Sequence, residues 1–474
     1  MARIFIISNR VGLPTPGRKK SAGGLEVALR ATLKQHSCIW LGWSGEVKAS
    51  AKVTTRTIEG ADGTYIVTDL SKEDFQEYYN GFANRVLWPI LHYRLDLAEF
   101  LRQDLTGYMR VNAHFADELA QFLTPEDHVW VHDYHLIPLA MALREKGLRN
   151  RIGFFLHIPL PPPEILTALP NHERLIPSLC HYDLVGFQTN GDAENFKRYL
   201  AYERARNPRN DFETTLCKVH VGVFPVGIET ESFQHRAERA ARTSFVKRVK
   251  KSAAANVIIG VDRLDYSKGL TLKFDAYQHF LKTNAKWRGN VTFMQITPKS
   301  RSTIQEYVAI EQHIETTVGH INGAYGDVSW TPVRYVNRAY SRTALAGLYR
   351  SAQVGLVTPL RDGMNLVAKE YVAAQDPYDP GVLILSRFAG AAEEFTSALL
   401  VNPYDPESVG NAIARALDMP LVERRTRHER LFAALRENDI KSWGEDFLAA
   451  LTQGTSDPHA AYSTQGGLTG GWSP

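Results

Sequence analysis

The chain has 474 residues, of which 44% are hydrophobic and 22% are charged, values typical of folded globular proteins. This length exceeds what one ordinary hydrophobic core holds and predicts two or three domains. The formal charge is only +4, from 55 basic and 51 acidic residues without a long run of either sign, which argues against nucleic acid as the main partner.

The number of cysteines and the length of the apolar runs indicate the cellular compartment in which the protein is expected. The chain has three cysteines, Cys38, Cys180 and Cys217, and no C-x-x-C pair. This odd number and the spacing argue against a disulfide framework and against a zinc site. The first apolar run, 4–7, is too short for the core of a signal peptide, and no run approaches the about 18 apolar residues of a membrane span. We therefore expect a cytoplasmic protein without membrane association.

Short β-branched or aromatic runs recur along the chain, and a helical pattern follows each of them. Such runs lack the alternation of half-buried strands and indicate strands of parallel sheets that are buried on both faces. They are 4–7, 128–131, 153–156, 184–187, 257–260, 292–295, 354–357 and 382–385. The predicted fold class is α/β, with doubly wound parallel sheets.

The clearest boundary between domains follows the segment 224–228 (FPVGI), because a charged helical stretch and a new strand come after it. It divides the chain into a first domain, 1–228, and a second, 229–440. Open parallel sheets bind ligands beyond the carboxyl ends of their strands, so two such domains facing each other form one cleft. The segment 454–474 is rich in Gly, Ser and Thr and is predicted to be disordered.

Near the amino terminus, 8–10 (SNR) ends the first strand and 21–25 (SAGGL) opens the first predicted helix. Gly23 and Gly24 allow the backbone to approach a diphosphate closely, and Arg10 at a strand end can hold an anionic substrate. An ordinary loop stays open as an alternative for the glycine pair.

The cluster 132–135 (HDYH) follows the second predicted strand and contains two histidines and one carboxylate. With no third ligand motif nearby we expect no metal here, and predict Asp133 as an acceptor for sugar hydroxyls. His157 ends the next strand, and a histidine satisfied within the core is its alternative interpretation.

The segment 260–269 (GVDRLDYSKG) leaves a strand and enters a helix, and it carries two cations five residues apart. Fixed positive charge at such a turn suits a diphosphate and can stabilise an oxyanion as it leaves. Arg263 and Lys268 are therefore the predicted leaving-group clamp. The alternative is an arginine paired with Asp262 or Asp265 and a solvated lysine.

A second loop of this kind, 359–370 (PLRDGMNLVAKE), also follows a buried strand and opens a helix. Backbone N–H groups at a helix start attract phosphate oxygens, while Asp362 suits sugar hydroxyls and Glu370 a ribose diol. Asp362 as a plain N-cap is the alternative.

Three signatures are absent from the sequence. It contains no G-x-G, no G-x-x-x-x-G-K-[ST] and no D-x-D. A dinucleotide fingerprint, a P-loop and the D-x-D metal motif found in one large class of glycosyltransferases are therefore excluded. We expect no metal and no cofactor, with protein cations and dipoles neutralising the diphosphate.

Taken together, these segments resemble the trehalose-6-phosphate synthases, a family of retaining glycosyltransferases with the GT-B fold, from residue 4 to about residue 451. The matching blocks are 8–10 (SNR), 21–25 (SAGGL), 40–45 (WLGWSG), 77–80 (EYYN), 87–89 (LWP), 132–135 (HDYH), 263–269 (RLDYSKG) and 362–370 (DGMNLVAKE). The resemblance implies two Rossmann-like domains, with a final helix, 441–453, that crosses back to the first domain.

The resemblance also implies two substrates, UDP-glucose as donor and glucose 6-phosphate as acceptor. The implied donor residues are Gly23, Gly24, Arg263, Lys268, Tyr340, Asp362, Gly363, Met364, Asn365, Leu366, Val367, Ala368, Lys369 and Glu370. The implied acceptor residues are Arg10, Tyr79, Trp88, Asp133 and Arg301. His157 and the loop 362–365 are implied to contact the transferred glucose, and Arg263, Lys268, Asp362 and His157 form the implied catalytic set.

Retention of configuration is implied by the family, and the candidate carboxylates already have other roles. We therefore predict front-face substitution, in which the acceptor hydroxyl attacks from the side that the diphosphate leaves. Two other functions stay open: a catalytically silent, synthase-like sensor of sugar phosphate, and a GT-B transferase with another acceptor. The base of the donor, a homo-oligomer, regulation and the degree of domain closure stay open as well.

Overall fold

The structure, a computed structural model, describes residues 2–13, 29, 38–49, 54–60, 63–206, 219–299 and 305–453. The predicted tail 454–474 and the predicted site residues Gly23, Gly24 and Arg301 lie outside these residues.

Two separate sheets organise the described residues, as the runs of buried β-branched residues predict. The first has the order β3-β4-β2-β1-β5-β6-β7-β8 and is parallel except for the antiparallel pair β3–β4. Its strands are β1 Ile4–Arg10, β2 Cys38–Lys48, β3 Thr55–Gly60, β4 Gly63–Ser71, β5 His128–His132, β6 Arg151–Phe155, β7 Leu184–Phe187 and β8 His220–Val223.

The second sheet is parallel throughout, with the order β11-β10-β9-β12-β13-β14. Its strands are β9 Asn256–Val261, β10 Val291–Ile296, β11 Val333–Val336, β12 Val354–Val357, β13 Val382–Ser386 and β14 Leu399–Val401. Seven of the eight predicted runs lie wholly on strands and 153–156 extends one residue past β6, and the α/β, GT-B class is confirmed.

Helices connect the strands and cover both faces of the sheets. In the first half they are α1 Lys72–Asp74, α2 Trp88–Leu91, α3 Arg102–Ala120, α4 Leu139–Glu145, α5 Pro163–Leu166, α6 His172–Leu175 and α7 Asn190–Arg206, with a π-helix at Phe75–Leu87. In the second half they are α8 Thr230–Ala241, α9 Ser244–Ser252, α10 Leu270–Thr283, α11 Gln305–Tyr325, α12 Arg342–Arg350, α13 Leu366–Ala374, α14 Ala391–Glu394, α15 Pro406–Leu417, α16 Leu421–Glu437 and α17 Ile440–Gln453.

Each sheet has one point at which the strand order reverses. In the first sheet it lies between β1 and β5, and in the second it lies between β9 and β12. Parallel α/β sheets bind ligands at such switch points, beyond the carboxyl ends of the strands. The loops after β1, β5, β9 and β12 are the segments in which the sequence places its candidate residues.

The last helix, α17, packs on the first sheet although it follows the second. Phe447 stacks on Trp130 with ring centroids 4.5 Å apart, and an added Cβ at Gly153 or Gly186 would lie within 2.8 Å of its ring. One buried cluster contains Trp130, Phe447 and residues of the second half such as Tyr371. The helix therefore connects the apolar interiors of the two sheets.

Candidate active site

Arg10 and Asp133 follow the two strands that flank the switch point of the first sheet. Ser8 of β1 pairs with His132 of β5, so the residues after them leave the same sheet edge side by side. Arg10 is exposed, and its guanidinium lies 5.5 Å from the centre of the Trp43 ring. Asp133 has a positive φ of 76°, and its carboxylate accepts a hydrogen bond of 3.3 Å from the backbone N–H of His157.

A continuous row of rings connects Arg10 to Trp88. Trp43 lies 5.7 Å from Tyr79, which stacks on His135 at 5.9 Å. His135 contacts Tyr134 at 4.0 Å, and Tyr134 lies 5.6 Å from Trp88. The structure thus brings four of the predicted acceptor residues, Arg10, Tyr79, Trp88 and Asp133, to one wall at the edge of the first sheet.

Across from this wall, the loops after β9 and β12 meet through an ion pair. The ammonium of Lys268 lies 2.5 Å from Oδ2 of Asp362, and the two side chains are 12% and 16% exposed. The same carboxylate accepts a hydrogen bond of 3.0 Å from the amide of Asn365. Lys268 is therefore not the solvated lysine of the alternative interpretation.

Arg263 differs from Lys268 in that it has no carboxylate partner within the described part of the chain. It is exposed, and its guanidinium lies 5.8 Å from the centre of the Trp88 ring on the opposite wall. The neighbouring carboxylates bind other groups: Asp262 pairs with Lys273 at 2.5 Å, and Asp265 accepts from the backbone N–H of Ser267 at 3.0 Å.

The loop between β12 and α13 packs tightly on the first half of the molecule. Asn365 has a positive φ of 81° and caps α13, since its Oδ1 accepts from the backbone N–H of Ala368 at 3.2 Å. The N-cap interpretation of Asp362 is therefore wrong. A Cβ added at Gly363 would lie 2.2 Å from the carbonyl oxygen of His157, so only glycine permits this approach. Met364 and Ala368 are buried, while Leu366 and Val367 are partly buried.

The last two residues of this segment use their side chains within the protein. The buried ammonium of Lys369 donates to the carbonyl of Val226 and to the carboxylate of Glu394, both at 2.9 Å, and burial lowers its pKa. Glu370 accepts a hydrogen bond of 3.0 Å from Arg342, and burial raises the pKa of its carboxyl group. In this arrangement Lys369 offers a ligand only its backbone.

Tyr340, the remaining predicted donor residue, lies on the loop between β11 and α12. Its ring lies 5.8 Å from Phe245 of α9, and the guanidinium of Arg338 lies 5.6 Å from the ring centre. Neither contact joins Tyr340 to Arg263 or Lys268.

Three histidines around the cleft are held neutral by burial. The pKa of His157 is lowered to about 3 and that of His92 to about 4, while that of His132 falls well below its usual value. Nδ1 of His92 donates a hydrogen bond of 2.7 Å to the carbonyl of Trp88, and His132 contacts His157 at 3.1 Å. No sequence motif points to His92, because a buried histidine next to a helical segment matches none.

Two further contacts cross the cleft and were not predicted. The guanidinium of Arg361 lies 4.0 Å from the centre of the Tyr93 ring, and Tyr93 has a positive φ of 64°. The guanidinium of Arg94 lies 5.5 Å from the ring centre of Tyr266. Both pairs join residues of opposite halves, so a local sequence signal for them does not exist.

Over the residues that the structure covers, no group of three or more His, Cys, Asp or Glu side chains is arranged to hold a metal ion. Over the same residues, no helix is both long and apolar enough to cross a membrane.

The profile of Glycosyltransferase family 20 matches residues 14–453 of this chain. A trehalose-6-phosphate synthase of Sinorhizobium fredii is 52% identical over 457 residues, which cover 95% of this chain and 98% of that protein. A trehalose-6-phosphate synthase of an Enterobacter species is 47% identical, with 96% of both chains covered.

Two solved structures with ligands are similar as well. A UDP-forming alpha,alpha-trehalose-phosphate synthase of Burkholderia xenovorans in complex with glucose-6-phosphate is 43% identical, with a TM-score of 0.90 and coverage of 96% of this chain and 100% of that chain. An E. coli structure bound with UDP-2-fluoro glucose is 44% identical, with a TM-score of 0.87 and coverage of 95% and 99%.

The neutral histidines predict that acid destabilises the fold. In the unfolded chain, His92, His132 and His157 become protonated below their usual pKa of about 6.5, whereas in the folded protein they stay neutral to lower pH. The unfolded state therefore binds more protons, and stability falls as pH falls. The free energy of unfolding should decrease between about pH 7 and about pH 5, by up to about 1.4 kcal/mol per pH unit for each histidine. Urea unfolding across this range measures the slope.

His92→Asn keeps a hydrogen-bond donor near the position of Nδ1 and removes one titrating group. The slope of the unfolding free energy against pH should therefore decrease by the contribution of one histidine. His235→Asn, at an exposed histidine of α8, is the matched control and should leave the slope as it is. An unchanged slope in His92→Asn would contradict the assignment.

Proposed function

The chain belongs to glycosyltransferase family 20, and on that basis we propose that it transfers glucose from UDP-glucose to glucose 6-phosphate, forming alpha,alpha-trehalose 6-phosphate and UDP. The observation that carries the proposal is the opposition of two walls at the switch points of the two sheets. One wall presents Arg263 and the Lys268–Asp362 pair, and the other presents Arg10, Tyr79 and Asp133. The walls approach each other where Arg263 lies over Trp88.

The chemistry of each wall fits one substrate. A diphosphate is an anion, and Arg263 is an exposed cation without a carboxylate partner within the described residues, so it is ready to bind a phosphate oxygen. The other wall combines one cation, Arg10, with rings and the carboxylate of Asp133, which suits a phosphorylated sugar. The complexes of relatives with glucose-6-phosphate and with UDP-2-fluoro glucose support the same pair of ligands for this chain.

We extend the proposal to the individual site residues. Arg263 and Lys268 act as the leaving-group clamp, and the segment 362–370 holds the donor with its helix N-terminus and loop backbone. Arg10, Tyr79, Trp88 and Asp133 bind the acceptor. Gly23, Gly24, Arg301 and Tyr340 keep their proposed roles from the resemblance, Tyr340 as a donor-binding residue.

The mechanism we propose is front-face substitution with retention. Oδ2 of Asp362 already contacts the ammonium of Lys268 and the amide of Asn365, so this carboxylate has a positioning role and is less available as a nucleophile toward the anomeric carbon. The acceptor hydroxyl then attacks from the side that the diphosphate leaves, and the departing phosphate oxygen takes its proton. Catalysis needs only positioning and charge stabilisation from the protein.

Other expectations remain proposals. They are the domain bounds 1–228, 229–440 and 441–453, metal independence, a cytoplasmic location and UDP rather than GDP or ADP as the carrier. A sugar-phosphate sensor is disfavoured because Arg263, Lys268 and Asp362 are all present.

The first experiment measures nucleotide release from UDP-, GDP- and ADP-glucose, each with glucose 6-phosphate or with a panel of other acceptors. We expect UDP release that depends on glucose 6-phosphate, with a stoichiometric non-reducing disaccharide phosphate as product. Binding of both substrates without turnover would favour the sensor, and turnover only with another acceptor would favour the other transferase.

The clamp is tested by Arg263→Ala and Lys268→Ala. Each removes one cation that faces the developing charge, so kcat should fall by about a hundredfold or more, equivalent to about 3 kcal/mol. Arg263→Lys keeps the charge without the planar fork and should recover part of the loss. Lys250→Ala removes an exposed cation of α9 and serves as the control. Near-normal kcat in an alanine variant would exclude that residue from the clamp.

The mechanism is tested by intact-mass measurement during turnover. Front-face substitution forms no bond between glucose and protein, so the mass of the chain should stay constant in rapidly quenched samples. A glucosyl adduct on Asp133, Asp362 or Glu370 would instead establish a double displacement. That outcome would leave the overall reaction unchanged.

A further inference from the structure

Behind His157 lies a second histidine that the proposed reaction does not use. His132 is the last residue of β5, and it pairs in the sheet with Phe155, two residues before His157. Nδ1 of His132 lies 3.1 Å from Nε2 of His157, so the two imidazoles share one hydrogen bond. His132 is fully buried, whereas His157 is partly exposed at the cleft.

Aromatic side chains fix the positions of both rings. Trp130 lies 4.6 Å from His132, and Phe155 lies 4.7 Å from His157. Trp443 of the last helix lies 6.2 Å from His132 and 6.0 Å from His157. With these neighbours on several sides, the imidazole of His132 has no space to turn away from His157.

The shared hydrogen bond permits two arrangements of protons. Burial lowers the pKa of both rings, so each is neutral and carries a single N–H. Either His132 donates from Nδ1 and keeps a lone pair at Nε2, or His157 donates from Nε2 and His132 keeps an N–H at Nε2. The two arrangements leave His157 with opposite properties toward the cleft, a donor at Nδ1 in the first and an acceptor in the second.

The surroundings of Nε2 of His132 favour the first arrangement. This atom is buried without a hydrogen-bond partner among the residues that the structure describes, and a buried unpaired N–H is costly. The two indoles beside it also have buried N–H groups without partners, at Trp130 and Trp443. An N–H at Nε2 would add a third unpaired buried donor to this part of the core, whereas an unpaired acceptor is tolerated more readily than an unpaired N–H.

We propose that His132 is a positioning residue that donates from Nδ1 to Nε2 of His157 and so fixes His157 as the tautomer with its proton on Nδ1. Nδ1 of His157 has no protein partner within the described ranges, so its N–H is available to a hydroxyl oxygen of the transferred glucose. The contact of His157 with glucose rests on the proposed function, whereas its tautomer rests on the histidine pair alone.

The tautomer is measured by NMR of the full chain with 15N-labelled histidine. The couplings over two and three bonds between the carbon-bound ring protons and the 15N nuclei distinguish a protonated ring nitrogen from an unprotonated one. The signals of His157 are assigned as those that are missing from the spectrum of His157→Asn. We expect His157 with Nδ1 protonated and Nε2 bare at neutral pH, in the absence of substrate. A proton on Nε2 of His157 would overturn the proposal, whether or not the enzyme transfers glucose.

Kinetics test the consequence for catalysis. His132→Phe keeps the ring but removes the donor, so kcat should fall by about 10- to 100-fold, as for other outer partners that orient an imidazole. The KM for glucose 6-phosphate should change little, because the acceptor residues are untouched. His132→Asn places an amide N–H where Nδ1 lies and should restore most of the lost kcat.

His128→Phe is the matched control, since it makes the same change at the other end of β5, and it should keep the kcat of the unaltered chain. A purely structural role for His132 would lower the melting temperature without changing kcat per folded molecule. Unchanged kcat in His132→Phe, or an equal loss in His132→Asn, would overturn the proposal. If the unaltered chain transfers no glucose, the proposed function fails and the NMR result alone decides the tautomer.

Discussion

The buried ammonium of Lys369 connects the helix behind the donor loop to the segment that joins the two halves of the chain. It bonds to the carbonyl of Val226 in that segment and to Glu394, and no part of its side chain reaches solvent. A buried charge is tolerated only when its hydrogen-bonding partners are close and well oriented. The position of the Lys369 ammonium relative to Val226 and Glu394 can therefore vary little. Because α13 starts at the loop 362–365, the same bond fixes where that loop lies relative to the first sheet.

The close approach of Gly363 to His157 depends on that placement. Backbone meets backbone at this point, with no space for a Cβ, and the loop after β12 reaches the loop after β6. The chain crosses between the halves a second time nearby, where the N–H of Ile440 donates to the carbonyl of Ile228 at 3.2 Å. The two crossings of the chain between the halves therefore lie next to each other.

Within the cleft, the charges are arranged before a ligand arrives. Asp362 holds Lys268 in place through an ion pair that is mostly shielded from water, so little reorganisation is needed when a diphosphate enters. Arg263 remains exposed over an aromatic ring, with no competing carboxylate among the described residues. The last helix supports the opposite wall through Trp443 and Phe447, which makes a segment distant in sequence part of the environment of His157.

The sequence by itself determined the α/β class, the parallel strands and the loops that carry the candidate residues, because buried apolar runs and strand-to-helix turns are local patterns. It indicated Asp133 and the loop 362–370, with a helix cap as the alternative role of Asp362, whereas the structure has Asn365 as the cap. Only the tertiary structure decided which side chains meet: Lys268 with Asp362 across 94 residues, and Lys369 with Val226 across 143. Such contacts follow from the order of the strands and from the packing of one half on the other. Neither of these features can be recognised from the residues that neighbour Lys268 or Lys369 in the sequence.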